Sequence, residues 1–444
     1  MSKKILSTSK KTSSHKTLTG YIRKQPIGAI EEYILTQNGL RVLFLQRPDT
    51  GVITTNITYF VGARDEARGE TGIAHMLEHM LFKPTAFDIQ HKIKEGAAMH
   101  FERMTGSILN ANTWKDRTTY YFSYPKEYFS EALRIEADRM KNVILTDAVL
   151  RPEQGNVLSE FDMYNGDPHF ALAVQMYSTA FLSHPYGHET IGYREDIEDY
   201  TAKKLQHYYQ TYYRPDNAIL MIVGDVERDT ALTAVREQFG TIENSTAVIK
   251  RHAVREPKQE GVRHTTVARP STTNIVAIGI KHSGFPQKEW FNTSIALEVL
   301  AGGPESILHK LLVDTGKAAQ VGVSIEPTSE TNLALIDIAL APNQSHQSIE
   351  TEVLTAISHL NSKTIDHLVK KAKARMITSE LFGRTESLHI VAELTEYASA
   401  NALESYDKTP ELLATITTKD VLQTIVESFK NNNLTIGYFI GTKR

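Results

Sequence analysis

Residues 71–85, "TGIAHMLEHMLFKPT", set His75, Glu78 and His79 inside a run that is otherwise apolar. On a helix the two histidines stand one turn apart with Glu78 on the same side. Ile73, Met76, Leu77, Met80 and Leu81 cover the rest of the cylinder. The spacing therefore predicts a helix buried nearly all round, with Pro84 as its stop signal. Burying three such side chains without partners would cost several kcal/mol. Zinc removes that cost, because neutral imidazoles at i and i+4 can reach one ion. The pattern H-x-x-E-H is the inverzincin spacing, and the chain contains no H-E-x-x-H.

A tetrahedral catalytic zinc needs a third protein ligand and an open position. With 0 cysteines in the chain, no thiolate can supply it, so the ligand must be His, Asp or Glu. Downstream, "RPEQGNVLSEFDMYNGDP" places Glu153 and Glu160 two helical turns apart on one face. Glu160 is the candidate third ligand, with Glu153 behind it to orient an imidazole.

The 444 residues are 41% hydrophobic and 23% charged, with a formal net charge of -3. That length suits two or three domains. The near-neutral balance gives no electrostatic case for nucleic acid or an anionic membrane. No apolar stretch is long enough to predict a membrane span. The first twenty residues, "MSKKILSTSKKTSSHKTLTG", are rich in Lys and Ser and lack an apolar signal region. Residues 1–25 are expected to be a flexible tail on a cytoplasmic protein, with an organelle matrix or the periplasm as alternatives.

The elements that must position the motif can be read in turn. "EEYILTQNGLRVLFLQRP" predicts a hairpin around Asn38-Gly39. "TTNITYFVGAR" and "TTYYFSY" predict strands, and "KEYFSEALRIEADRMKN" an amphipathic helix with Phe129, Leu133, Ile135 and Ala137 inward. Strands and helices mix without βαβ alternation, which favours an α+β fold. A repeat is also visible. "TAKKLQHYYQTYYRPDNAILMIVGD" (201–225) and "TKDVLQTIVESFKNNNLTIGYFIGT" (418–442) share Leu, Gln and a terminal Gly at an offset of 217. Both read as helix, turn and strand, so the chain is expected to hold two homologous domains, each a mixed or antiparallel sheet covered by helices. The expected bounds are 26–242 for the zinc-bearing domain, a polar linker at 243–262, and 263–444 for the companion. In "HPYGHE", His184 and His188 flank Pro and Gly, which predicts a surface or chamber-wall loop.

Residues 27–240 resemble the catalytic domain of the pitrilysin family of zinc peptidases, which includes insulysin and the mitochondrial processing peptidase. The likeness rests on "GETGIAHMLEHMLF", on the spacing of Glu153 and Glu160, on "LNANTWKDRTTYYF" and on "YYRPDNAILMIVGD". It implies one zinc per chain held by His75, His79 and Glu160, with Glu78 as general base and not a ligand. Glu78 would take a proton from the attacking water and pass it to the departing amine. Glu153 and Asn110 are expected behind the ligands. Asn110, Ala111, Asn112 and Thr113 resemble the family's substrate-pairing edge strand, which holds an extended peptide through backbone hydrogen bonds. The distance from His79 to Glu160 implies a small insertion near residues 86–104.

Applied to the zinc motif, the 217 offset lands on Asn292, Ile295 and Ala296, so the second copy lacks the metal site. It resembles the family's inactive companion domain. That domain usually carries an Arg and a Tyr seven residues apart, and here those positions fall on Val313 and Gln320. The expectation is a zinc metalloendopeptidase cutting peptides or unfolded chains inside a clam-shell chamber. It would be the active subunit of a heterodimer whose zinc-free homologous partner supplies the Arg/Tyr pair. The alternatives are a homodimer, or a non-catalytic core subunit that retains a metal site.

Overall fold

Alternating apolar residues on either side of Asn38-Gly39 give the hairpin of β2 (Glu31–Leu35) and β3 (Arg41–Gln46), paired antiparallel from Glu31↔Phe44 to Ile34↔Arg41. Gly39 takes a φ of 82°, and the Asn38 carboxamide donates to the carbonyls of Phe239 and Ile242 at 2.8 and 3.0 Å. The computed structural model describes residues 19–251 and 254–443. Around the hairpin lie β1 (Tyr21–Arg23), β4 (Val52–Tyr59), β5 (Ile108–Thr113), β6 (Thr118–Pro125) and β7 (Ala218–Gly224). They form a seven-stranded sheet in the order β1-β2-β3-β7-β4-β6-β5, parallel only between β3 and β7.

The second sheet holds β8 (Arg263–Pro270), β9 (Ile275–His282), β10 (Ala318–Ser324), β11 (Asn332–Leu340) and β12 (Leu434–Thr442). Its order is β10-β11-β9-β12-β8, parallel only between β12 and β8. Read from the parallel end, β8-β12-β9-β11-β10 repeats β3-β7-β4-β6-β5 strand for strand. The fold is thus α+β in two homologous domains. The repeat carries a one-residue slip: Thr201 caps the helix Ala202–Tyr212, whereas its counterpart Thr418–Ser428 is capped by Thr417.

Each sheet packs one face on helices of its own domain. Phe129, Leu133, Leu205, Leu232 and Phe239 fill the front of the first sheet against Ile57, Phe44 and Phe122. The back faces are covered reciprocally. Helix Pro168–Ala180 crosses to the second sheet, where Leu172, Met176 and Tyr177 meet Ile275, Ala277 and Phe439. Helix Ser387–Ser399 crosses to the first, where Ile390, Val391 and Leu394 join the cluster of Ile219, Met221 and Val223. Each buried Leu, Ile or Met contributes ~1.5–3 kcal/mol, so the exchanged helices bind the two domains firmly.

The expectations for the tail and the "HPYGHE" loop are corrected, and those for residues 243–262 and 86–104 gain structural detail. The flexible tail does not run to residue 25. Tyr21–Arg23 pairs with β2, and the buried Tyr21 hydroxyl donates to the Leu232 carbonyl at 2.7 Å; residues 1–18 lie outside those described. The segment 243–262 has no helix or strand among its described residues, yet it is strapped down. Arg251 binds Asp65 at 2.7 Å, and Glu256 accepts from the backbone N–H groups of Leu182, Ser183 and His184. Residues 86–104, read as an insertion, begin with the short helix Ala86–Gln90 and run into the helix Ala97–Thr105. The "HPYGHE" loop, expected at the surface or the chamber wall, is set deeper than a surface loop, with Pro185, Gly187 and His188 only partly accessible. His184 and Tyr186 are buried, and Tyr186 donates to Asp116 at 2.6 Å beneath the companion's Ser329 and Glu330. Pro and Gly mark a loop correctly, but they carry no information about what later covers it.

Candidate active site

The motif forms the helix Ile73–Met80, with Ile73, Met76, Leu77 and Met80 buried. Its start is fixed tightly. Gly72 has φ +86°, and a Cβ there would lie 2.3 Å from the Ile191 carbonyl oxygen; one on Gly192 would lie 2.2 Å from that of Thr71. Only glycines permit this crossing. The fully buried Glu66 carboxylate accepts from Gly72 N–H at 2.8 Å, from Ala74 N–H at 3.0 Å and from His188 Nε2 at 2.9 Å. A carboxylate at this end also suits the helix dipole.

Glu153 and Glu160 lie on the helix Asp147–Asn165, which packs against the motif helix. His75 Nε2 and His79 Nε2 are 3.3 Å apart, and Glu160 Oε2 lies 3.4 Å from His79 Nε2 and 3.9 Å from His75 Nε2. Among the described residues these three form the one group of His, Asp and Glu whose donor atoms converge for a metal. Ligands at ~2.0–2.1 Å from a tetrahedral ion stand ~3.3–3.4 Å from one another, so the donor set fits zinc in both chemistry and spacing. His79 Nδ1–H donates to Glu153 Oε1 at 3.0 Å, which leaves its Nε2 lone pair for the metal. Glu153 is in turn held by Asn156 at 3.0 Å and by Lys83. His75 Nδ1 is buried with no protein partner.

The charges are consistent with one proton standing where a dication would. Burial, then the charge of His79, hold His75 down to about 4. Burial also opposes a charge on His79, but hydrogen bonds to Glu153 and Glu160 outweigh it and push it up to about 9. The bond from His79 lowers Glu160. Burial would raise Glu153, yet the bonds from His79 and Lys83 hold it down to about 2. Two imidazolium groups at this separation cannot coexist, so a metal competes with a single proton. Glu78 is different. Burial raises its carboxyl, against the hydrogen bond that Thr113 Oγ1 donates at 2.6 Å. A raised carboxyl near a metal site is a better base.

Among the described residues the strand β5 pairs only with β6, so its other edge is free of them. Trp114 N–H donates to Arg117 C=O at 2.8 Å, and the antiparallel ladder alternates from there. Asn112/Thr119 and Asn110/Tyr121 are then the bonded pairs, and the backbone groups of Leu109, Ala111 and Thr113 face outward. Ala111 and Thr113 are buried toward the motif helix. Asn112 accepts from Arg117. Asn110 is not brought to the histidines as expected. It is exposed, and its Oδ1 accepts from the Ala111 N–H at 2.9 Å, covering one group of the free edge.

Sequence reasoning missed Glu66, Lys83 and His188. Glu66 stands six residues before Gly72, outside the three-residue spacing that marks a capping box. His188 lies more than a hundred residues from its partner, so no local signal could reveal it.

Residues 41–194 match the family Insulinase (Peptidase family M16), and residues 199–376 match the Peptidase M16 inactive domain. The chain is 26% identical over 411 residues to the zinc protease PqqE of Helicobacter pylori, covering 91% of each. It is 26% identical over 268 residues to the probable mitochondrial-processing peptidase subunit beta of Schizosaccharomyces pombe, covering 60% of this chain and 57% of that one. The crystal structure of a protease from Helicobacter pylori superposes with a TM-score of 0.86 at 25% identity, over 93% of this chain and 99% of that one.

Proposed function

Since the chain belongs to the M16 (insulinase/pitrilysin-like) family of zinc peptidases, we propose that it is itself an active zinc endopeptidase on extended or unfolded peptides. One observation carries this reading: the donor atoms of His75, His79 and Glu160 converge beside a half-buried Glu78 that is tied through Thr113 to the free edge of β5.

His75, His79 and Glu160 would hold the zinc, and Glu153 and Lys83 orient the imidazole of His79. Bound zinc supplies Lewis-acid chemistry, polarising a carbonyl and making nearby water more acidic. The outward backbone groups of Leu109, Ala111 and Thr113 bind a peptide as an added strand, so recognition is mainly of backbone. The Asn110 carboxamide yields the Ala111 N–H to that strand. Glu78 accepts the proton of the attacking water and delivers it to the departing amine. Thr113 links the base to the strand that aligns the peptide, so base and substrate are placed by one element.

Hydrolysis of an internally quenched, unstructured peptide by the zinc-loaded chain tests the reading, with Glu78→Gln as control. Cleavage that vanishes in the variant is expected. Zinc binding without cleavage in either protein would overturn independent activity.

The subunit arrangement is a further part of the proposal. By the resemblance to the family, the Arg and Tyr positions of the companion domain fall on Val313 and Gln320, and neither side chain can grip a substrate carbonyl as a cation and a phenol do. A zinc-free homologous partner would supply them in a heterodimer. Mixing the chain with such a homologue should raise the cleavage rate and give a mixed dimer on gel filtration. A fully active self-dimer that ignores the homologue would sink this part alone.

A further inference from the structure

Behind β5, on the side away from the metal ligands, lies a cavity of about 260 Å³ between the first sheet and the exchanged helix Ser387–Ser399. Its mouth is mainly apolar, formed by Ile108, Leu388 and Ala392 with the exposed His389 beside them. Its floor is polar, formed by Asn56, Thr395 and Arg117. Arg117 is only 6% exposed. Its two terminal nitrogens are taken by Asn112 and by Glu396, but its Nε–H is buried with no partner. An orphaned donor of this kind carries its full desolvation penalty unless something accepts from it.

The position of the cavity matters because of the pleat. Residues paired across a sheet share a face, and side chains alternate along each strand. Ile108 and Asn112 line the cavity from β5, so the residues of an added strand opposite them turn their side chains to the same side, ~4.8 Å further out. We propose that the cavity is a side-chain subsite that accepts a tyrosine of the peptide lying along β5, its ring between Ile108, Leu388 and Ala392 and its hydroxyl accepting from Arg117 Nε–H. The volume suits one large side chain. An apolar mouth over a donor-bearing floor favours an aromatic body with an accepting tip. This rests on the reading of β5 as the peptide-binding edge. It adds a preference for side chains on the face away from the metal, supplied by the companion domain of the same chain.

The test is binding, which separates it from catalysis. Fluorescein-labelled peptides carrying Tyr, Phe or Gly at successive positions are titrated into the zinc-loaded Glu78→Gln chain, while wild-type cleavage is assayed separately. At alternate positions, Tyr peptides are expected to bind at least about tenfold tighter than Gly peptides. Tyr should exceed Phe by about fivefold through its hydroxyl. Ala392→Trp, which fills the mouth from an exposed helix position, should bring the Tyr peptides down to the Gly affinity. Arg117→Lys keeps the charge toward Glu396 but lacks Nε–H, and should remove the Tyr-over-Phe difference alone. Equal affinities across the series, or a Tyr preference that survives Ala392→Trp, would overturn the subsite whether or not the wild type cleaves. Failure of wild-type cleavage with the binding preference intact would instead count against the peptidase reading.

Discussion

The two domains share one sheet, strand for strand, and place a helix at the same point in the chain order. In the first, Ile73–Met80 lies between β4 and β5; in the second, Lys288–Ala301 lies between β9 and β10. The first turns His75, Glu78 and His79 toward partly accessible carboxylates. The second places Asn292, Ile295 and Ala296 at the matching positions, among the buried Phe291 and Leu297. The scaffold therefore does not require the metal site, and the second copy shows what the helix does when it has only packing to perform. Three ionisable residues on the first helix are a departure from that default, and their cost is offset only if the cluster binds something. The reciprocal exchange of helices explains why a copy without chemistry persists: each domain covers the other's back face.

The sharpest way to break the comparison is Glu78→Gln. Zinc content should be unchanged, because Glu78 is outside the donor cluster, while kcat falls by on the order of 10³-fold. Ile295→Gln, at the matching position of the second helix, should lower stability and leave kcat per folded molecule unchanged. Metal analysis beside steady-state kinetics reads both. Next in size is His79→Ala. Zinc at a thousandfold above its dissociation constant stabilises the folded chain by about 4 kcal/mol, and the variant should lose that increment in calorimetric scans with and without chelator. A thermal midpoint that chelator does not move in the wild type would remove zinc from the reading.

The companion domain has a buried histidine of its own, and it makes the contrast chemical. His282, at the end of β9, is 4% exposed; its Nδ1–H donates to the Ser283 carbonyl at 2.8 Å, and its Nε2 has no partner. Among the described residues no carboxylate offsets its burial, which holds it down to about 4. A lowered histidine is neutral when folded, and the unfolded chain binds the proton more readily. Its contribution is complete above pH ~6.5 and is lost as pH falls toward 4. Between pH 7 and pH 5 the wild type should lose about 2 kcal/mol from this group, and His282→Gln should lose correspondingly less. Urea unfolding at the two pH values checks it; identical slopes for both proteins would show that His282 is not the group responsible.

What could be read in the sequence follows from the range of each signal. The motif helix was legible because polar groups at helical spacing interrupt an apolar run; Glu153 and Glu160, which alone read as a solvated face, became legible only because that motif calls for a third ligand. The hairpin at Asn38-Gly39 was legible because turn chemistry and alternation sit within a few residues. Tyr21–Arg23 was not, since three residues are too few to show a period of two, and one buried tyrosine anchors the strand. The exchange of helices was not either. Apolar residues on Pro168–Ala180 announce burial, but nothing local states whose sheet will cover them. Asn110 failed for a different reason: its strand was placed correctly, yet parity along the strand turned its side chain away from the ligands.

The smallest predicted effect concerns how each helix is held. The motif helix is anchored by Glu66, whose carboxylate takes two backbone N–H groups of the first turn and the imidazole of His188. The companion helix starts after Gln287, whose side chain makes no capping bond. Glu66→Gln keeps the shape but removes the charge from the helix start and turns an N–H donor toward another donor. That combination is worth ~1–2 kcal/mol, so kcat should fall about tenfold with KM nearly constant and zinc affinity reduced only a few-fold. Glu66→Asp, which restores the charge on a shorter stem, should recover part of kcat. Gln287→Ala should change neither kcat nor zinc affinity, because that helix aims no reacting group. If Glu66→Gln merely lowered the unfolding midpoint while kcat stayed constant, both helices would be anchored for stability alone. The rigid seating of the first would then have no bearing on catalysis.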